Sequence, residues 1–468
     1  MTYADGLEGK HLDLVEYPGS PLHVLAGPGT GKSLVLKRRV ARLIAEGESP
    51  DSILAVTFTR TAANDILNDL NDLNLETSGK VYASTLHSLC FSILMKEDVL
   101  TVTGRVPRPL MDFERRMLIL DLSEEFGGIR DKERRLKAFE SAWARLQSEE
   151  PGWPTEPIDQ KFQTELLSWL VFHRAILVGE LVPETLRYLK NNPTAPERKL
   201  YKHVFGDEYQ DFNKAEQELF KFLAETPLTA GGSLTVVGDE NQSIYSFKYA
   251  YPEGIIRFPI DFPETYSDSL DECRRCPVTV VRMANAFLQQ GSGGGEVRLL
   301  TEFSANGPGE VRIVQWGALD DEIRGLASFV ASRIQKNDVE PGEVLVLTPR
   351  RFIGYRIRDL LNEANIPVRS CFFEEALESP FAKERFALLT LLARPDDRPS
   401  LRALLGLPST TGLKGGYRVL RAHCEASGES PWQTLVRLES GDLTLSHMGP
   451  LKERFQWIKQ TLEPLTGC

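Results

Sequence analysis

Two short stretches carry residue types whose spacing suits phosphate chemistry. The first is Ala26-Gly27-Pro28-Gly29-Thr30-Gly31-Lys32-Ser33, of the form [A/G]-x-x-x-x-G-K-[S/T]. Glycines let successive backbone N–H groups close around phosphate oxygens, and a helix opening at the end of the loop adds favourable partial charge. Lys32 would reach the β- and γ-phosphates of ATP, and the Ser33 hydroxyl would ligate Mg2+. The plain alternative is a fortuitous glycine-rich turn. The second stretch, Phe205-Gly206-Asp207-Glu208-Tyr209-Gln210-Asp211, sets adjacent carboxylates at the end of a short apolar segment. Asp207 would hold magnesium through water, and Glu208 would orient and deprotonate an attacking water. A kinase needs no hydrolytic base beside its metal carboxylate, so the pair favours a hydrolase. An acidic surface turn is the competing reading.

These residues need a scaffold that presents them together. Apolar β-branched runs at 22–27, 53–59 and 81–86 read as buried strands, with a helix over 34–46 between the first two. That βαβ rhythm predicts an α/β fold with a parallel sheet covered by helices. Residues 91–192 change to helical spacing, interrupted by the Pro-rich piece 151–157, and strands return at 202–205 and 234–238. A helical domain inserted into the first sheet accounts for this order. After about 267 a new unit begins. The stretch 289–309, with Gly291, Gly293, Gly294 and Gly295, reads as a flexible surface loop. Strands at 311–316 and 344–348, with a helix over 321–335, suggest a second α/β layer, and short helices follow from about 396.

Bulk properties bound these readings. A chain of 468 residues with 41% hydrophobic and 26% charged residues is a multidomain globular protein. No apolar run approaches a membrane span, and residues 1–5 lack the basic and apolar pattern of a secretory signal. Six scattered cysteines do not form a disulfide framework, so a cytoplasmic protein without membrane contact is expected. The net charge of −11 argues mildly against nucleic acid, whose non-specific affinity comes from Lys and Arg. A local basic and aromatic groove would still suffice for one strand.

Read in order, the motifs resemble those of the UvrD/Rep-type superfamily 1 DNA helicases. After the phosphate loop come Ala55-Val-Thr-Phe58-Thr59-Arg60-Thr-Ala-Ala63, Thr85-Leu-His87-Ser88, the acidic motif at 207–211, and Val237-Gly-Asp-Glu-Asn-Gln242-Ser-Ile-Tyr245-Ser-Phe247. The similarity runs from about 7 to about 407. It implies a RecA-like P-loop domain (1–90 and 193–266), an inserted helical domain (91–192), a partial second RecA-like domain (267–395) and the start of a helical insertion (396–468). By the same resemblance Gln242 contacts the γ-phosphate and reports hydrolysis to the DNA site. Tyr245 and Phe247 stack on bases of single-stranded DNA. Phe58, Thr59, Arg60 and His87 line the same path, and Lys248 neutralises a backbone phosphate. Leu270-Asp-Glu-Cys-Arg274-Arg275-Cys276 resembles L-x-x-N-Y-R-S, which gives Arg275 the role of a γ-phosphate arginine. Arg350, after the strand at 344–348, is a further DNA-contact candidate.

Departures qualify the resemblance. His11 stands where the family has an adenine-reading Gln, and Arg274 where it has a Tyr that stacks on the base. Cys273 and Cys276 form a C-x-x-C without a second ligand pair nearby, which argues against a metal. Counterparts of the family's G-L-E motif and final arginine motif are missing. The resemblance therefore implies the N-terminal part of a longer 3′-to-5′ motor, completed by a missing C-terminal part or a protein partner, which binds ATP and single-stranded DNA without unwinding duplexes alone. A nucleotide-dependent DNA-binding or regulatory module with little turnover is the alternative, and a helicase–nuclease subunit lacks a visible carboxylate cluster to support it.

Overall fold

Strands that are apolar on both faces are stable only in a sheet covered on both sides. The computed structural model, which describes residues 2–72, 81–291, 297–370 and 379–465, gathers such runs into one sheet. Its strands are β1 (Leu22–Ala26), β2 (Ile53–Val56), β3 (Tyr82–Ser84), β4 (His203–Gly206), β5 (Ser233–Gly238) and β6 (Tyr266–Leu270). Their order is β3-β2-β4-β5-β1-β6, every pair parallel. Helix α1 (Lys10–Glu16) precedes β1, α2 (Lys32–Ala45) leaves the phosphate loop, and α3 (Arg60–Asp72) follows β2. One buried cluster joins Val24, Val35, Val40 and Phe205, and another joins Val204, Val236, Leu219 and Phe258. Adjacent residues Val204 and Phe205 thus serve opposite faces of the sheet, as the pleat requires. Parallel pairing brings every strand's carboxyl end to one edge, where the segments after all six strands open.

Between β3 and β4 the chain is helical, including Asp112–Asp121, Ile129–Ala144, Pro157–His173 and Leu181–Asn191. Phe162, Leu166, Trp169 and Leu170 are buried within this layer. The helices Arg398–Gly406 and Lys414–Ser427 pack against it through buried polar pairs. Arg402 donates to Asp121 at 2.8 Å, Arg108 joins Glu114 to Asp397, and the Tyr417 hydroxyl lies 2.7 Å from His173 Nε2. The Arg402 side chain is fully buried, with its guanidinium carbon 4.2 Å from the Tyr417 ring centre. Burial pushes the His173 imidazole well below its usual range, so the ring is neutral within this contact.

Contacts divide the chain into two compact units, Met1–Gly309 with Ala387–Cys468, and Glu310–Phe386. In the second, helices Leu319–Gln335 and Arg351–Glu363 pack through Ile323, Ala327, Ile353 and Ile357. The strands expected at 311–316 and 344–348 form no ladder among the described residues. Val344 and Val346 lean on the helices while Leu345 and Leu347 are 73% and 82% exposed. The segment keeps the alternation of a strand, but a strand is defined by a neighbour exchanging N–H···O=C bonds, and none adjoins it among the described residues.

The loop expected at 289–309 also differs. Helix Val278–Gly291 takes its first residues, Gly293, Gly294 and Gly295 lie outside the described residues, and Thr301–Glu302 pairs in parallel with Glu272–Cys273. Leu300 is the reason, since its side chain packs on the phosphate loop at Gly27. No helix of the described residues is long and apolar enough to cross a membrane.

Removing one partner of a buried ion pair strands the other charge. Arg402→Ala is expected to cost about 3–5 kcal/mol of stability by leaving Asp121 unpaired. Urea unfolding of both proteins measures it, and a loss below about 1 kcal/mol would show that water already solvates the pair.

Candidate functional site

The phosphate loop begins where β1 ends between two neighbours, with Leu25 opposite Gly238 and Ala26 opposite Leu270. Gly29 and Gly31 take φ of 72° and 94°, left-handed conformations that a Cβ would strain. Thr30 Oγ1 donates to the Gly27 carbonyl at 2.8 Å and closes the turn. Helix α2 starts at Lys32 with no side chain capping its first N–H groups, which leaves them for an anion. His11 Nε2 lies 2.7 Å from the Thr30 carbonyl, and its ring occupies the space a Gly31 Cβ would take. That nitrogen is therefore engaged with the loop.

Across the loop, Lys32 Nζ meets Glu208 Oε2 at 2.8 Å, and the Lys32 side chain is only 8% exposed. Ser33 Oγ lies 3.5 Å from Asp207 Oδ2, which brings together two hard oxygen donors of the kind magnesium takes beside substrate phosphates. Burial, helped by the neighbouring Glu208 charge, pushes the Asp207 carboxyl up to about 7, with Lys32 pulling the other way. Glu208 itself has φ of 51°, an unfavourable left-handed backbone for a non-glycine residue. From Glu208 a chain of bonds continues. Gln210 Nε2 donates to Glu208 at 2.8 Å, the Asp239 backbone N–H donates to Gln210 Oε1 at 2.9 Å, and Gln242 Nε2 donates to Asp239 Oδ2 at 2.7 Å.

The segment after β6 covers the other side of the loop. The Arg274 N–H donates to the Gly29 carbonyl at 2.9 Å, and a Cβ added to Gly29 would fall 2.6 Å from Arg275 Cβ and 3.0 Å from Cys273 Sγ. Arg275 is exposed beside the loop, whereas Arg274 pairs with Glu272 at 2.7 Å and lies 5.4 Å from the Phe303 ring centre. Burial, with Cys273 alongside, pushes the Cys276 thiol up. No group of three His, Cys, Asp or Glu among the described residues could hold a metal. A cavity of about 340 Å3 opens here between Glu8, Lys10, His11, Asp271, Glu272 and Arg274.

The aromatic candidates meet at the same sheet edge. Phe58 and Tyr245 have ring centres 4.4 Å apart, Tyr245 and Phe247 5.8 Å, and Lys248 Nζ lies 4.6 Å from the Phe58 centre. Phe247 is 70% exposed, and Thr59 and Arg60, which follow Phe58 into the start of α3, are exposed as well. A cavity of about 590 Å3 runs from Phe58, His87, Phe247 and Lys248 to Lys137 and Pro183 of the helical insertion. His87 Nδ1 stands 3.2 Å from Glu216. Arg350 is exposed in the second compact unit, preceding helix Arg351–Glu363.

A family model described as the UvrD/REP helicase N-terminal domain matches residues 7–263, more than half of the chain. The chain belongs to the UvrD/Rep helicase family. It is 29% identical over 426 residues to the ATP-dependent DNA helicase UvrD1 of Mycobacterium tuberculosis (strain ATCC 25618 / H37Rv), covering 86% of this chain and 54% of that protein. UvrD1 of Mycobacterium leprae (strain TN) is 28% identical over 483 residues, covering 96% of this chain and 60% of its own. The ATP-dependent DNA helicase PcrA of Staphylococcus aureus (strain NCTC 8325 / PS 47) is 27% identical over 431 residues, covering 85% and 55%. The chain thus spans little more than half the length of the curated relatives it matches.

Two residues of this UvrD/Rep-type site escaped sequence reading. Gln210 lay inside the acidic motif without a role, yet it bridges Glu208 to Asp239. Arg298 lay in the expected surface loop, yet it pairs with Asp239 at 2.7 Å. The signal was the apolar pair Leu299-Leu300 beside it, which marks a return toward packed structure.

The cavity beside Arg274 lacks a side-chain amide among the residues that line it, and His11 Nε2 is already engaged. ATP and GTP are therefore expected to bind within about tenfold of each other, about 1.4 kcal/mol. Competition binding tests this, and a hundredfold preference for ATP, about 2.7 kcal/mol, would refute it.

Proposed function

We propose that this chain is the ATP-binding motor part of a DNA helicase, which hydrolyses magnesium-ATP to move along single-stranded DNA. The family resemblance supports a 3′-to-5′ direction and a cytoplasmic setting, and four free thiols among the described cysteines are compatible with the latter. The observation that carries the proposal is the path of residues 239–248. At one end Asp239 and Gln242 join the bonded network that reaches Lys32, and at the other Tyr245, Phe247 and Lys248 meet Phe58 in the groove. A phosphate that draws Gln242 from Asp239 therefore acts on the residues that stack on bases.

The Lys32–Glu208 pair offers a way to gate hydrolysis. Lys32 holds Glu208 Oε2 at 2.8 Å, so the carboxylate that would orient water is tied to the loop lysine. Phosphates entering the loop compete for Lys32, and charge-assisted bonds to them free the Glu208 carboxylate. Magnesium, held by Ser33 and Asp207, would supply the positive charge that offsets the phosphates. Arg275 beside Gly29 would add a further positive charge at the loop. Single-stranded DNA would lie along the aromatic groove, where stacking is independent of sequence and the −11 net charge of the chain matters less than local cations. A further chain segment or a protein partner would cover Leu345 and Leu347.

Two sets of variants separate the parts. Lys32→Ala is expected to weaken magnesium-ATP binding strongly, and Glu208→Gln to keep binding while suppressing DNA-stimulated hydrolysis. Calorimetry with a turnover assay reads both, and unchanged ATP affinity in Lys32→Ala would remove the site from the loop. Phe247→Ala is expected to weaken oligo(dT) binding by about 1–3 kcal/mol without changing ATP affinity. Fluorescence anisotropy with labelled oligo(dT) measures it, and full retention of affinity would exclude Phe247 from the grip.

A further inference from the structure

Arg298 carries a charge that the reading above does not use. Its guanidinium meets Asp239 Oδ1 at 2.7 Å, Asp271 Oδ1 at 3.4 Å and Glu240 Oε2 at 3.8 Å, and the side chain is 17% exposed. Strand register explains the arrangement. Because β5 and β6 flank β1, Asp239 and Asp271 stand on either side of the first residues of the phosphate loop. Arg298 bridges them. Two residues on, Leu300 fixes the backbone by packing on Gly27, where an added Cβ would fall 2.3 Å from Leu300 Cδ2 and 3.7 Å from Asp239 Oδ2.

The bonded chain decides which end of a nucleotide Arg298 faces. Lys32 to Glu208, Glu208 to Gln210, Gln210 to Asp239 and Asp239 to Arg298 are successive contacts of 2.8, 2.8, 2.9 and 2.7 Å. Glu208 belongs with the bond that is hydrolysed, so this chain runs from the γ-phosphate end. The base cavity, at His11 and Arg274, reaches only Asp271 of the two aspartates that Arg298 bridges, the more distant at 3.4 Å. Arg298 Nε is buried and has no acceptor among the described residues, which leaves one donor of the fork for an incoming anion. A planar guanidinium can exchange a carboxylate for a phosphate with little rearrangement, since both present paired oxygens.

We propose that Arg298, which Asp239 and Asp271 hold beside the phosphate loop, is a γ-phosphate ligand, and that it makes the site distinguish ATP from ADP. The proposal rests on the reading of residues 26–33 as an ATP site. When the γ-phosphate takes Arg298, Asp239 loses its cation while its other oxygen still accepts from the Gln242 amide, so the change in charge is felt directly at Gln242. ADP ends one phosphate short and leaves the pair intact.

The test uses the full chain with magnesium-ATPγS and magnesium-ADP, titrated calorimetrically. Arg298→Gln is expected to lose about tenfold or more in ATPγS affinity while ADP affinity stays within about threefold. Arg298→Lys keeps the charge against Asp239 but lacks the planar fork that meets paired oxygens bidentately, and is expected to lose about threefold or more of the ATPγS-over-ADP ratio. If Arg298→Gln does not melt cooperatively as the wild type does, the Lys variant alone decides. Equal losses for both nucleotides reveal a merely structural arginine and overturn the proposal, as does an unchanged ratio in a folded variant. A wild-type chain that binds neither nucleotide overturns the ATP-site reading and this proposal together.

Discussion

The parallel pairing of β1 between β5 and β6 is the constraint on which the rest depends. Backbone bonds on both edges of Leu22–Ala26 fix where the strand stops, and therefore where the glycines begin. The same register fixes Asp239 and Asp271 on either side of that point. Since every strand of the sheet runs the same way, residues from 27 to 276 converge on one edge without any of them needing strong mutual attraction. Moving β1 by one residue would turn Val24 out of its core cluster, and close packing makes that costly. Stability of the core thus sets the precision of the site.

Electrostatics at that edge are dominated by carboxylates. Asp207, Glu208, Asp211, Asp239 and Asp271 lie within one connected region whose ion-paired cations include Lys32 and Arg298. Burial, with Glu208 contributing, pushes Asp211 up to about 6. A triphosphate entering such a region needs cations freed from their internal partners. Each of these ion pairs would therefore act as a latch under the proposals above, because a nucleotide phosphate and a carboxylate compete for the same donor. The left-handed backbone at Glu208 belongs to the same pattern, strain tolerated where a side chain must point at the reaction.

The helical layers use charge differently. Arg108 and Arg402 are enclosed by Glu114, Asp397 and Asp121 and by aromatic rings, with no ligand to exchange for. Pairs of this kind add little net stability over apolar contacts, but they tolerate only the geometry that satisfies every donor. They specify how the helix Arg398–Gly406 meets the insertion although nearly 300 residues separate them in the chain. Nothing in the local pattern of either segment announces its partner.

What the sequence by itself determined follows from short-range physics. The loop at 26–33 needs only glycines and a following helix, β1 needs only a β-branched apolar run, and Asp207-Glu208 needs only adjacency, so each was legible from neighbouring residues. The ordered motifs carried the family resemblance, and the match over residues 7–263 bears it out. The tertiary structure alone decided which distant groups share a bond. His11 turns to the Thr30 carbonyl, Gln210 spans two strand ends, and Arg298 emerges from an expected loop to bridge Asp239 and Asp271. The extended segments 311–316 and 344–348 make the same point in reverse. Their residues have strand character, but a ladder requires a second backbone alongside, and pairing is a property of two segments that neither sequence contains.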